Sequence, residues 1–290
     1  MSSRIASKIR VRQIREEDVP QVADLLARGF PGRSLQFWER VLASLTKRPT
    51  FGELPKYGYL LQVDRVVGVI LLIFSSRHAD GESTIRCNVS SWYVEPGFRS
   101  YASLLVAKAL SLPNVTYLNI TPSPKTLPMM EAQGYSQYSK GIFVAAAGVQ
   151  LRSWRADVRV TKAGVHRATH AEQLDHDLLL DHANYGCISL WCETADRAYP
   201  FVFRPTLVKG FIPSARLVYC RDVEDFVRVA GPLGRFLALR GRLLVLIDSN
   251  GPIAGLTGKY LDARMPKYFK GPNRPCLGDL AYTETSMFGI

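Results

Sequence analysis

The chain has 290 residues, of which 47% are hydrophobic and 21% charged, and a formal net charge of +12. That length favours two domains over one, and the balance of apolar and charged residues excludes a disordered chain or a coiled coil. The opening MSSRIASKIRVRQ lacks the apolar stretch of a secretory signal. The longest strongly apolar run, residues 66–74, is about half of the ~20 residues needed to span a bilayer, so a cytoplasmic protein without a membrane partner is expected.

Residues 11–14 alternate as a short strand. Arg15, Glu16, Glu17 and Asp18 then open a helix with its acidic residues in the first turn, where the dipole favours them. Val19, Val22, Leu25 and Leu26 follow helical spacing, and the helix ends near Gly29. A second helix is predicted over residues 35–45, with Phe37, Val41, Leu42 and Leu45 on one side. Residues 57–75 read as a β-hairpin turning at Asp64-Arg65. A loop is expected over 77–82 and a further strand over 85–94, stopped by Pro96-Gly97. A helix follows over 99–110, a strand over 115–121, a short helix over 125–133 ended by Gly134, and a strand through Ile142 to Ala145. This order predicts a mixed α/β fold: a largely antiparallel sheet flanked by helices, with one parallel pair formed across a crossover helix.

The chemistry-bearing junction runs Trp92-Tyr93-Val94-Glu95-Pro96-Gly97-Phe98-Arg99-Ser100-Tyr101-Ala102-Ser103-Leu104-Leu105. A strand ends, a turn follows, and a helix is predicted to begin at about Ser100. First-turn amides at such a helix start are unpaired and aligned with the dipole, which suits a pyrophosphate. Ser100, Ala102 and Ser103 are small enough for close approach, and Arg99 adds a cation at the rim.

Val94, Pro96 and Arg99 resemble the V-x-P-x-x-R-x-x-G-x-G/A motif of the GNAT (Gcn5-related N-acetyltransferase) superfamily. Ala102 stands at the first glycine position and Leu104 at the second, a departure that narrows or reshapes the loop. The stretch Thr121-Pro122-Ser123-Pro124, then Glu131-Ala132-Gln133-Gly134-Tyr135, resembles the segment that closes the family's domain. The resemblance covers about 140 residues. It implies acyl transfer from acetyl-CoA or another acyl-CoA to an amine or hydroxyl acceptor. Tyr93 and Val94 would pair backbone groups with the pantetheine arm, and Arg99, Ser100, Tyr101, Ala102, Ser103 and Leu104 would hold the phosphates. Where the family often places a tyrosine as general acid, this chain has Met130. Polar candidates for handling the acceptor's proton are Asn88, Ser90 and Ser91, none of them a base by itself; the nearby carboxylates are Glu82 and Glu95. A catalytically inactive binding or scaffolding relative is the alternative.

After Gln150 the stretch LRSWRADVRV opens a second domain, so the division expected is 1–150 and 151–290. Residues 171–183 form a helix, residues 187–191 and 199–204 a hairpin around Asp196-Arg197, and residues 215–220 a strand before a crossover helix over 224–239. Residues 243–247 form the strand after it. This order suggests a tandem, divergent copy of the first domain. A competing frame pairs residues 243–261 with the first hairpin. In the first frame Asp222, Glu224 and Asp225 occupy the phosphate-loop position, and in the second the chain ends before one. Either way only the first domain would bind coenzyme A, and the second would shape the acceptor cleft or an oligomer interface.

The five cysteines (Cys87, Cys187, Cys192, Cys220, Cys276) form no C-x-x-C pair and read as buried thiols. His166, His170, His176 and His182 crowd near Asp175, Asp177 and Asp181, but without ligand spacing they read as a polar helix surface, and no metal is expected. Residues 259–275, KYLDARMPKYFKGPNRP, read as an exposed basic loop. The cations are spread along the chain with no zinc-finger or helix-turn-helix spacing, so a solvated basic surface is favoured over nucleic-acid binding.

Overall fold

The computed structural model describes residues 9–79, 82–149 and 158–289, and the chain divides into two compact units. Most of LRSWRADVRV lies outside the described residues, as does the Glu82 side chain. The first unit comprises residues 1–119 and 270–273, the second residues 120–269 and 274–290.

In the first unit β1 (Arg10–Gln13) leads into α1 (Val19–Gly29) and α2 (Leu35–Thr46). Buried Asp18 accepts two hydrogen bonds from Arg12, at 2.6 and 2.7 Å, and one from the Arg15 amide at 2.8 Å. An acidic side chain is thus tied to the entry of α1, and Pro20 sits within its first turn, where a missing amide hydrogen costs nothing. Ser34 caps α2 by accepting from the Phe37 amide at 3.2 Å. The buried side of α2 is Trp38, Val41, Leu42 and Leu45; Trp38, rather than the expected Phe37, completes the i, i+3, i+4, i+7 stripe.

The sheet continues through β2 (Gly58–Gln62), β3 (Val66–Ala79), β4 (Glu82–Val94), α3 (Ala102–Ala109) and β5 (Val115–Asn119). Its order is β1-β2-β3-β4-β5, with antiparallel neighbours except for the parallel β4–β5 pair. Both α1 and α3 pack on β3, and residues 66–75 are all buried, without alternation. Where a loop over 77–82 was expected, β3 and β4 extend their pairing to Ala79↔Glu82.

The second unit contains α4 (Leu127–Ala132), β6 (Ser136–Ala146), β7 (Arg159–Lys162), α5 (Gln173–Asn184), β8 (Ile188–Glu193), β9 (Ala198–Val208), β10 (Ile212–Tyr219), α6 (Val223–Ala238), β11 (Leu244–Ser249), β12 (Gly258–Lys270) and the short α7 (Glu284–Met287). Strand order is β12-β6-β11-β10-β9-β8-β7, and β10–β11 is the parallel pair. The path β7-α5-β8-β9-β10-α6-β11 therefore repeats the first unit's path, with three antiparallel pairings and then a parallel one across a crossover helix. Because β6 lies between β11 and β12, pairing with both, residues 243–261 are not a hairpin and the first frame is the one realised. The same pairing draws residues 120–149 into the second unit, so packing divides the chain at Asn119/Ile120 rather than near 150.

The core of this unit joins Phe143, Phe201, Phe203, Leu217 and Ile247 to Phe226, Val229, Leu233 and Leu237 of α6. Helix α6 is interrupted at Val229, where φ is −114°, three residues before Pro232; a proline inside a helix removes a donor and displaces the preceding turn. The segment expected as a basic loop, residues 259–275, is instead largely strand β12. Cys87, Cys187, Cys192 and Cys220 are buried free thiols, whereas Cys276 is exposed. His182 is not on a surface: fully buried, its Nδ1 faces the Leu178 carbonyl at 2.7 Å and its Nε2 accepts from the Tyr282 amide at 3.0 Å. No described helix is long and apolar enough to cross a membrane.

Candidate functional site

The parallel β4–β5 ladder runs from Ile85↔Val115 to Asn88↔Leu118 and stops there, while β4 continues to Val94. Along that continuation the register with β3 passes from Leu71↔Ser90 to Val69↔Tyr93, so Ser91 and Trp92 oppose the single residue Ile70. This is a β-bulge, and Ser91 takes φ of +49° within it. The extra residue brings two successive hydroxyls together, Ser90 Oγ and Ser91 Oγ at 3.0 Å. Asn88 is buried, and its amide nitrogen faces the Leu118 and Val89 carbonyls, each at 3.3 Å. The three polar residues singled out in the sequence thus sit on one strand at the bulge. They provide hydroxyls and an amide, but no group able to hold a proton at neutral pH.

Past the bulge, the Tyr93 ring lies flat against the end of α1. A Cβ on Gly29 would meet Tyr93 Cγ at 2.4 Å, so only glycine admits the ring there. Phe30 adds a tilted ring contact at 6.2 Å. Val94 is buried beside Gly68. Glu95 is clamped: Arg65 donates to both of its carboxylate oxygens at 2.7 and 2.6 Å, and Arg28 donates to Oε1 at 2.6 Å. The Arg65 hydrogen bonds, with those of Arg28 added, outweigh burial and hold the Glu95 carboxyl at about 2. Such an acid is too strong for its conjugate base to take a proton from an ammonium, so the clamp leaves Glu95 unsuited to act as a base. The arginines come from distant stretches of chain, and no local pattern marked them.

From Pro96 to Tyr101 the backbone forms a 3-10 turn, and α3 begins at Ala102, two residues later than the sequence suggested. The Phe98 amide donates to Glu95 O and the Ala102 amide to Arg99 O. Part of the expected amide cradle is therefore satisfied inside the turn. Arg99, Ser100, Tyr101, Ser103 and Leu104 are exposed and Ala102 is half-buried. Leu104 points outward, 52% exposed, and so does not fill the turn. No carboxylate occurs from Pro96 to Leu110, while Arg99 and Lys108 are both present.

Met130, in the second unit, is buried, with its sulfur 4.0 Å from the Thr126 hydroxyl. Gly134, with φ of +81°, ends α4: its amide bonds Glu131 O, and the Tyr135 amide reaches back to Met130 O.

The corresponding junction of the second unit, β10 into α6, is built differently. Asp222 caps α6, its carboxylate accepting from the Glu224 amide at 2.9 Å, and Asp225 pairs with Arg197 at 2.6 Å. Where the β10–β11 ladder ends at Arg216↔Leu246, a buried ion cluster takes over. Asp248 accepts from Arg216 at 2.8 Å and from Lys267 at 2.7 Å, and Lys267 also donates to Met265 O at 3.0 Å. Burial first of all, with the neighbouring Arg216 charge, lowers Lys267 to about 8 against the pull of Asp248. Sequence spacing gave no signal for this cluster, because its members come from three strands.

The histidine group also resolves into structure. His166 lies between Glu193, at 2.8 Å, and Glu172, at 3.3 Å, and stacks on Trp191 at 4.5 Å. Among the described residues no three His, Cys, Asp or Glu side chains converge as a metal site.

No family model and no curated protein matches the chain. Solved structures do resemble it. A GCN5-related N-acetyltransferase from Anabaena variabilis is 12% identical with a TM-score of 0.56, covering 90% of this chain and 72% of the other. A GCN5-related N-acetyltransferase from Kribbella flavida is 14% identical with a TM-score of 0.56, covering 92% and 72%. A conserved Enterococcus faecalis protein of unknown function, described as a probable N-acyltransferase, is 13% identical with a TM-score of 0.59, covering 95% and 74%. The fold is that of the GCN5-related N-acetyltransferases, a mixed α/β arrangement around a mostly antiparallel sheet.

Proposed function

We propose that the protein is an acyl-CoA-dependent acyltransferase that moves an acyl group, acetyl being the simplest, to an amine or hydroxyl acceptor in the cytoplasm. The observation that carries this reading is the β4 strand. It outruns its parallel partner after Asn88, bulges at Ser91, and feeds a carboxylate-free turn at the start of α3. Backbone groups of Tyr93 and Val94, on the stretch past the ladder, suit an extended amide-bearing arm such as pantetheine. Arg99 and the start of α3, with Ser100, Tyr101, Ala102, Ser103 and Leu104 around it, suit the phosphates.

In the transfer, the acceptor nitrogen or oxygen attacks the thioester carbonyl carbon. A new C–N or C–O bond forms, the C–S bond breaks, the acceptor loses a proton and the thiolate takes one. The Ser90–Ser91 hydroxyl pair can pass the acceptor's proton to water. The thiolate takes its proton from water.

The chain is read as tandem copies in sequence, residues 1–150 holding the donor and residues 151–290 a divergent copy. Asp222 on the α6 amides and the ion cluster at the end of the β10–β11 ladder leave that copy no anion site of the same kind. The second copy then serves the acceptor cleft or an oligomer interface. One observation favours an inactive binding relative instead: β4 offers no imidazole or free carboxylate beside the bulge among the described side chains.

Calorimetric titration with acetyl-CoA, longer acyl-CoAs and free CoA tests the reading. Saturable binding at about one site per chain, lost in Ala102→Asp with the fold intact, supports the donor site. Turnover with an amine panel then separates enzyme from inactive relative. Unchanged affinity in Ala102→Asp removes the site from this turn.

A further inference from the structure

One end of the second unit's sheet carries a cluster of apolar side chains in water. Leu207 of β9 pairs with Pro213 of β10, and the amide of Leu243, just ahead of β11, bonds the Pro213 carbonyl, so the three residues lie side by side at this end of the sheet. Register partners share a face, and strands lie ~4.8 Å apart, which places the two leucines within about 10 Å. The β9–β10 hairpin tip extends this face with Phe211, 71% exposed, after Lys209 and Gly210, both at positive φ. The crossover helix α6 returns the chain to this same end, where Leu239 at its C-cap is 85% exposed. Val149 joins them: Ala147 bonds Leu243 O, and Gly148 abuts Ala238. Folded chains rarely leave such a group of large apolar side chains in water without use.

The described stretches that form this corner carry charge of one sign. Residues 142–149, 200–219 and 226–247 contain no Asp or Glu at all. Lys209 and Arg240 are exposed there, and Arg240 lies across the Phe236 ring at 3.5 Å and donates to the Phe236 carbonyl at 3.0 Å. Arg242 is half-buried beside them.

We infer that this corner is a docking surface for an anionic lipid bilayer. The argument is charge complementarity joined to the form of the anchors. Phe211 on a hairpin tip and Leu239 on a helix end are largely exposed, and neither is seated in a pocket of its own chain. A bilayer interface accepts such side chains at any lateral position and rewards each adjacent cation; a protein partner would need a pocket matched to each. A spanning helix, whose absence led the sequence to suggest no membrane partner, is not needed for a peripheral contact of this kind. The inference is independent of the acyltransferase reading, since the β4 turn belongs to the first unit.

The test is cosedimentation of the full-length protein with phosphatidylcholine vesicles, with and without phosphatidylglycerol, at two salt concentrations. Binding that requires the anionic lipid and weakens with salt is expected. Phe211→Asp and Leu239→Asp should each reduce the partition coefficient about tenfold, and Lys209→Glu or Arg240→Glu about fivefold. Thermal melts of the Phe211, Leu239 and Lys209 variants should stay unchanged, because these side chains are exposed. Absence of binding to anionic vesicles, or binding that these substitutions leave intact, overturns the inference. So does a dimer in size-exclusion light scattering that Phe211→Asp dissociates, which would assign the face to a second copy.

Discussion

Glu95→Gln isolates the device that sets the end of β4. The substitution keeps shape and hydrogen-bonding capacity but removes the charge gripped by Arg28 and Arg65. Holding the carboxyl at about 2 in place of 4.5 would correspond to about 3 kcal/mol at face value. Glu95 is buried, but the side chains of Arg28 and Arg65 are 50% and 53% exposed, so solvent screening reduces this to about 1–2 kcal/mol. For a domain of this size that lowers Tm by about 2–6 °C. The sign of the pH dependence follows from the lowered value. The contribution is fully present above about pH 4.5 and is lost as pH falls through about 2, where the folded state protonates too. Urea unfolding of wild type and Glu95→Gln across that range should show the gap closing as acid is added. Acyl-CoA affinity of the variant should fall at the same time, since the turn that follows Glu95 loses its anchor. A gap that stays constant from about pH 6 to about pH 2.5 would falsify the clamp as the source of the stabilisation.

Other expectations follow from single contacts. Gly29→Ala drives a methyl into the Tyr93 ring and should cost about 1–3 kcal/mol; adding Tyr93→Ala should recover at least about 1 kcal/mol, a coupling that a double-mutant cycle in urea measures directly. Asp248→Ala leaves Arg216 and Lys267 buried without their shared anion and should destabilise the second unit by about 3–5 kcal/mol in the same assay. Lys267 itself titrates at about 8 folded and 10.5 unfolded, so the unfolded chain binds more protons between those values and stability should rise with pH across them. Lys267→Met should abolish that rise in urea melts. A wild-type curve that is flat or falling there would mean that Asp248 outweighs burial and keeps Lys267 charged.

Much of the fold could be read from the chain because the elements are local patterns. Asp64-Arg65 between two apolar runs specifies the β2–β3 hairpin, Pro96 stops β4, and Gly134 ends α4, each through dihedral preferences that need no partner. The crossover order of strand, helix and strand around residues 85–119 and again around 212–249 determines the two parallel pairs. The stretch from Tyr93 to Leu104 stood out for the same reason: a strand end, a turn carrying Arg99 and a helix start with small residues fall in one window of sequence.

What depended on tertiary structure involves residues far apart in the chain. The placement of β6 between β11 and β12 decided both the repeat frame and the packing boundary, and β-pairing partners separated by about a hundred residues leave no trace in local periodicity. The Ser91 bulge arises from a one-residue mismatch with β3 that neither strand shows alone. Glu95, in the sequence only one of two carboxylates near β4, is made unfit as a base by Arg28 and Arg65, because a carboxylate's proton affinity is set by neighbours and burial rather than by its own identity. Residues 259–275 read as a loop for their prolines and charges, yet they form most of a strand whose Lys267 is wholly buried on Asp248. Sequence specified which groups exist and which local shapes they prefer; which charges meet, and at what depth from water, only the assembled sheet determined.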